Sequence, residues 1–150
     1  MRASNPWLVV GGCLSAAAAL AHVAVIIGSP DWYRFFGAGE EMALMAERGS
    51  WVPAALTTVI ATVLAVWAAY AFAGAGLIRR LPLIRTALVV ISAIYLARGL
   101  FVFSPATFAR PDLSASFMFY SSLIVLVYGI VHAIGTWQAW RDLSSKKASA

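Results

Sequence analysis

Four apolar runs, each long enough to cross a bilayer, fill most of this chain and leave only short polar joints between them. They cover residues at about 7–27, 51–73, 82–103 and 116–137. A hydrocarbon core roughly 30 Å thick takes about 20 residues of helix at 1.5 Å each. Lipid offers the backbone no hydrogen bonds, so a crossing segment must pair its own N–H and C=O groups, which a helix does. The runs therefore predict an all-α polytopic membrane protein, with four transmembrane helices in an antiparallel bundle forming one domain over residues 1–150. With 62% hydrophobic and 11% charged residues, the chain is too apolar for a soluble domain of its length.

The boundaries carry the punctuation such helices need. Gly28-Ser29-Pro30 stops the first run, because proline lacks the backbone donor of a continuing helix. Pro53 stands in the first turn of the second run, where a missing N–H costs nothing, and Gly74 and Gly76 follow its end. The third run opens at Pro82 and closes at Ser104-Pro105, and residues 138–150 read as a flexible tail. Trp7, Trp51, Trp137 and Trp140 mark span ends, as an interfacial aromatic belt requires. Ala19-Leu20-Ala21 has the form of a signal-peptide cleavage site, but apolar sequence continues to Ile27, which favours a span.

Basic residues set the orientation. Arg2, Arg79, Arg80, Arg85, Arg141, Lys146 and Lys147 fall on one side; Arg34, Arg48 and Arg110 on the other are mixed with Asp31, Glu40, Glu41, Glu47 and Asp112. The positive-inside rule then puts both termini in the cytoplasm of a multi-pass inner-membrane protein. These flanking charges are topology signals and not a nucleic-acid surface, despite a net charge of +5. The connection from Gly28 to Ser50 accordingly faces out. It predicts a short interfacial helix over Ala38–Arg48 with Gly49 at its end, preceded by Trp32-Tyr33-Arg34-Phe35-Phe36 at headgroup level. Leu20-Ala21-His22 before Ser29-Pro30 parallels Leu96-Ala97-Arg98 before Ser104-Pro105, which fits two similar hairpins or merely common span vocabulary.

Helices in lipid associate through close backbone approach between small residues. Thr57, Ala61, Ala65, Ala69 and Ala73 recur every four residues, predicting a nearly straight small-residue stripe on the second span, and Gly11, Ser15 and Ala19 form another on the first. Such faces serve packing within the bundle or a homo-oligomer, and the spacing fits both.

Beyond the first turns of the spans three basic residues lie within them, where a charge costs about 2.5–3.5 kcal/mol: His22, Arg98 and His132. Arg98 stays charged, and its fork suits a carboxylate or phosphate. Its expected partner is Glu40 or Glu41, brought over by the outer connection, or an anionic ligand; otherwise its stem snorkels to the nearby interface. His22 lies at comparable depth, Tyr95 is one turn before Arg98, and Tyr120, Ser121 and Ser122 enter from the outer end of the fourth run. The candidate ligand-binding set is Arg98, His22, Glu40, Glu41, Tyr95, Tyr120, Ser121 and Trp32, forming an outward-opening polar pocket lidded by the first connection.

Other chemistries find less footing. His22 and His132 differ in height by roughly 15 Å, too far to ligate one haem iron, and no histidine pair has metal-binding spacing, so neither cofactor nor metal is expected. Cys13 is alone and forms no internal disulfide. No P-loop, GxGxxG, GxSxG or HExxH occurs, and no span holds an Asp or Glu to couple protons. In length and four-span layout the chain resembles small bacterial inner-membrane proteins such as the DoxX-like group, a likeness of architecture that transfers no catalytic residue. Three functions fit these residues: binding or transport of a lipid or amphipathic small molecule in the outward pocket; a membrane enzyme acting on a lipid-soluble substrate, with His22 or a lid carboxylate as acid or base; and a structural subunit assembling through a small-residue face.

Overall fold

The computed structural model describes residues 4–28, 30–104 and 115–144. Arg2, Ser29, Pro105, Arg110, Asp112, Lys146 and Lys147 lie outside the described residues. In chain order the helices are α1 (Pro6–Ile27), α2 (Pro30–Phe35), α3 (Glu40–Glu47), α4 (Val52–Ala75), α5 (Ile84–Leu100, continued by a 3-10 turn Phe101–Phe103), α6 (Ala115–Gln138) and α7 (Trp140–Ser144). Among them α1, α4, α5 with its turn, and α6 are long and apolar enough to cross a membrane.

Local chemistry sets each boundary. Asn5 caps α1 by accepting from the Leu8 amide at 3.1 Å, with Pro6 at the first helical position. The end of α4 lies two residues beyond its sequence-based limit because Gly76 adopts φ 82, where an L side chain is strained. There the Gly76 amide bonds Ala73 at 3.2 Å and the Leu77 amide bonds Phe72 at 3.0 Å, closing both orphan carbonyls. Gly49, at φ 74, ends α3 in the same way through Ala46 and Met45. Its start is later than Ala38, whose amide closes α2 instead by bonding the Tyr33 carbonyl. At α5 the helix begins after Pro82, because Leu83 is left-handed at φ 51 and breaks the helical path.

The long helices pack as two close pairs, α1 on α4 and α5 on α6, joined chiefly by α1 against α6. At the α5–α6 crossing a Cβ added to Gly99 would lie 2.5 Å from the Leu126 Cα, and one added to Gly129 would lie 2.7 Å from the Leu96 amide nitrogen. The backbones touch there. On α1 the stripe Gly11, Ser15 and Ala19 is buried as a unit. On α4 the buried face only partly matches the four-residue stripe: Thr57, Ala61 and Ala73 of the stripe are buried together with Leu64, Ala68, Ala71 and Ala75, while Ala65 is exposed and Ala69 half-buried. The reason is rotational. Steps of four overshoot a turn by about 40° each, so the row leaves the contact at Ala65 and meets the core again only at Ala73, whereas alternating steps of four and three drift only about 20° per seven residues.

One end of the bundle carries α2 and α3 and is called here the capped end. At the other, the basal end, the Asn5 amide donates to the Ala75 carbonyl at 3.3 Å and its side chain donates to the Gly135 carbonyl at 3.1 Å. One residue thus ties the start of α1 to the last turns of α4, through its backbone, and of α6, through its side chain. The stretch expected as tail contributes here too, since Leu143 of α7 is buried in a cluster with Leu8, Leu88 and Ala139.

Candidate functional site

At the capped end, Tyr33 of α2, Val25 of α1 and Ala43 of α3 form a small buried cluster that seats the two short helices. Arg34 binds them together across their exposed face. Its guanidinium reaches Glu40 at 2.7 and 2.8 Å, Glu47 at 2.8 Å and Asp31 at 2.9 Å. The bonds to Glu40, then Glu47, push the Arg34 pKa up, and the same Arg34 bond holds the Glu40 carboxyl below its ordinary range. The ring of Phe117, at the start of α6, lies against Gly37 under this cap.

Arg98 is an exposed side chain of α5, and its Nη1 donates to the Ser122 Oγ on α6 at 3.0 Å. Ser122 itself is fully buried, so the hydroxyl is a fixed anchor. Next to it, Ser121 donates to the Met118 carbonyl at 3.3 Å and Tyr120 is exposed. At the capped end of the α5–α6 pair the structure therefore joins Arg98 to Ser122, while Ser121 bonds within its own helix. The other sequence-based candidates make their contacts elsewhere. Glu40 is bound to Arg34, Glu41 is exposed, and Trp32 stacks on Phe36 at 5.8 Å between ring centres. His22 is half-buried and donates from Nδ1 to the Ala18 carbonyl of its own helix at 2.7 Å. Among the described residues no carboxylate pairs with Arg98.

Tyr95 turns away from Arg98 into the bundle, because positions 88, 91, 95 and 99 make the buried seam of α5. There its hydroxyl lies 3.0 Å from the Ser15 Oγ, which is 3.4 Å from the Nε2 of His132. The other ring nitrogen of His132 is 2.9 Å from the Tyr128 carbonyl. A carbonyl only accepts, so Nδ1 carries the proton and Nε2 accepts from Ser15, which in turn accepts from Tyr95. Each polar side-chain atom of Tyr95, Ser15 and His132 thus has a partner. Trp67 and Tyr128 close it edge-on against the Tyr95 ring at 4.9 and 5.6 Å. Gly11 makes the room, since a Cβ there would lie 2.9 Å from the imidazole.

A serine paired with a histidine can be a nucleophile with its base. Ser15 and His132 are each 0% exposed, so this pair gives a substrate no access and acts as a directional lock between α1, α5 and α6. Comparison with protein-family models, curated proteins and solved structures finds no match for the chain. Its functional reading rests on the geometry.

Sequence reasoning did not join Ser15 to His132, nor single out Asn5. Asn5 had a local signal, a capping residue directly before a proline at the first helical position. The lock had only a positional one, a polar residue on the buried seam of three different helices.

Proposed function

We propose that the chain is an antiparallel four-helix bundle with both termini in the cytoplasm, which binds the anionic head of a lipid or amphipathic small molecule at Arg98, near its outer face. The observation that carries this reading is the state of Arg98: a permanently charged fork, exposed on a span, with a neutral hydroxyl as its partner. It lies five residues before Phe103, about 7.5 Å along the helix, so its stem reaches headgroup depth. A phosphate or carboxylate there gains a charge-assisted pair and offsets the cost of the bare cation. The short helices α2 and α3 suit an interfacial cap over this end, with Phe35 and Trp32 exposed toward the headgroup layer.

The test is a titration of the solubilised protein with a long-chain alkyl phosphate and with a zwitterionic amphiphile of equal chain length. Arg98→Gln weakens the alkyl phosphate by about tenfold or more, as loss of one charged hydrogen bond implies, and leaves the zwitterion unchanged. Equal binding by wild type and variant contradicts the reading.

A second reading, assembly with a partner helix, is favoured by a groove of about 410 Å³ between α1 and α4 lined by Leu20, Val23, Thr58, Ala61 and Ala65. Ala65→Phe fills that groove and lowers the oligomeric mass in mild detergent if a helix seats there; an unchanged mass removes this reading.

A further inference from the structure

The basal end holds a second cationic feature, distinct from Arg98. Arg80 and Arg85 come from the α4–α5 connection and the first turn of α5, yet both reach α7: Arg80 donates to the Leu143 carbonyl, and the Arg85 guanidinium lies over the Trp140 ring at 3.8 Å. Trp140 and Leu143 are three residues apart on one helical face, so the two side chains converge on the same corner. Arg79 and Arg141 are exposed beside them in sequence, and Asp142 is the acid of α7, leaving these five residues at a net +3. Arg85 has the Trp140 face but no hydrogen-bond acceptor among the described residues, and its Nε is buried and unpaired. Close by in sequence, two residues before Arg85 and three before Trp140, are exposed apolar side chains: Leu83, held left-handed, is 79% exposed and Trp137 is 78% exposed.

We propose that this corner is a docking surface for the phosphodiester headgroup of an anionic phospholipid in the adjacent leaflet. The charge is complementary, and the Trp140 ring holds the Arg85 guanidinium in a fixed orientation. Leu83 and Trp137 supply the apolar flank that enters the acyl region beside the headgroup. The surface needs only that the long helices span a bilayer, and it is independent of ligand binding at Arg98.

Native mass spectrometry of the full chain, titrated in micelles with phosphatidylglycerol or phosphatidylcholine, tests it. Phosphatidylglycerol is retained in preference, and Arg79→Gln or Arg141→Gln each lowers its apparent affinity about fivefold, the effect expected of one surface charge. Arg85→Lys keeps the charge but loses fork and stack, and weakens phosphatidylglycerol more than either. Because Arg79 and Arg141 are exposed, their variants test the surface even if Arg85 variants fail to fold. Equal retention of the two lipids, or wild-type selectivity in all three variants, overturns the proposal. Displacement of the lipid by millimolar inorganic phosphate also overturns it, because the surface would then take a free anion.

Discussion

Gly99→Ala probes the closest contact in the bundle. The new Cβ would lie 2.5, 2.6 and 2.7 Å from the Leu126 Cα, N and Cβ, against a comfortable carbon–carbon separation of about 3.5–4.0 Å. Backbone atoms cannot rotate away, so α5 and α6 must part by roughly 1 Å at the crossing. Overpacking of this kind costs about 1–3 kcal/mol, and a backbone clash belongs in the upper half of that range. Alanine regains up to about 1 kcal/mol of helix propensity, which leaves a net loss near 1–2 kcal/mol. Separation also stretches the 3.0 Å bond between Arg98 and Ser122, one turn from the crossing. Reversible unfolding in mixed micelles measures the loss, with the exposed Ala97→Ser on the same helix as reference. Gly129→Ala gives a similar loss, and the double variant falls short of the sum because one separation relieves both clashes. Stability equal to or above wild type for both single variants would refute the close crossing.

Three further outcomes follow from the geometry. Ser15→Ala strands the Tyr95 hydroxyl and the His132 Nε2 in the core and costs about 1–3 kcal/mol, whereas Ser92→Ala, which loses only a bond to its own helix at Leu88, is close to neutral in the same unfolding assay. Gly76→Ala meets no atom within 4 Å yet carries the left-handed strain of φ 82, so it destabilises by about 1–2 kcal/mol without changing the helix packing seen by cysteine cross-linking. The Arg34 clasp is acid-sensitive: Glu40 is depressed in the folded protein, so its contribution is present above the ordinary value of 4.5 and is lost as pH falls below it. The protection factors of the α3 amides, corrected for the intrinsic pH dependence of exchange, therefore fall below about pH 4.5 in wild type, whereas in Arg34→Gln they are low on both sides of that pH.

Why the spans were legible and the contacts were not is a matter of range. Hydropathy and bilayer thickness act on about 20 residues at a time, so Trp7–Ile27 or Ser116–Trp137 could be marked within a residue or two of the helix ends. Gly49 and Gly76 announced their caps because a left-handed turn is a local requirement. The α4 stripe misled because a four-residue repeat looks continuous in sequence yet rotates off the contact by Ala65, while the heptad seam through Leu64 and Ala68 mixes residue sizes. Tyr95 stood near Arg98 in sequence, but the side of the turn it occupies depends on where α1 and α6 press against α5. Arg34 and its acids were visible as a mixed-charge loop. That Glu40 bonds Arg34 depends on the fold of the α2–α3 turn, which hydropathy does not specify.

Native mass spectrometry of the gently extracted protein, wild type beside Arg98→Ala, tests the central claim most directly. The account predicts a discrete anionic amphiphile retained by wild type and lost from the variant, with Ser122→Ala intermediate because it frees the fork without removing its charge. A mass retained equally by all three, or a stable oligomer of wild type carrying no small molecule, would contradict it.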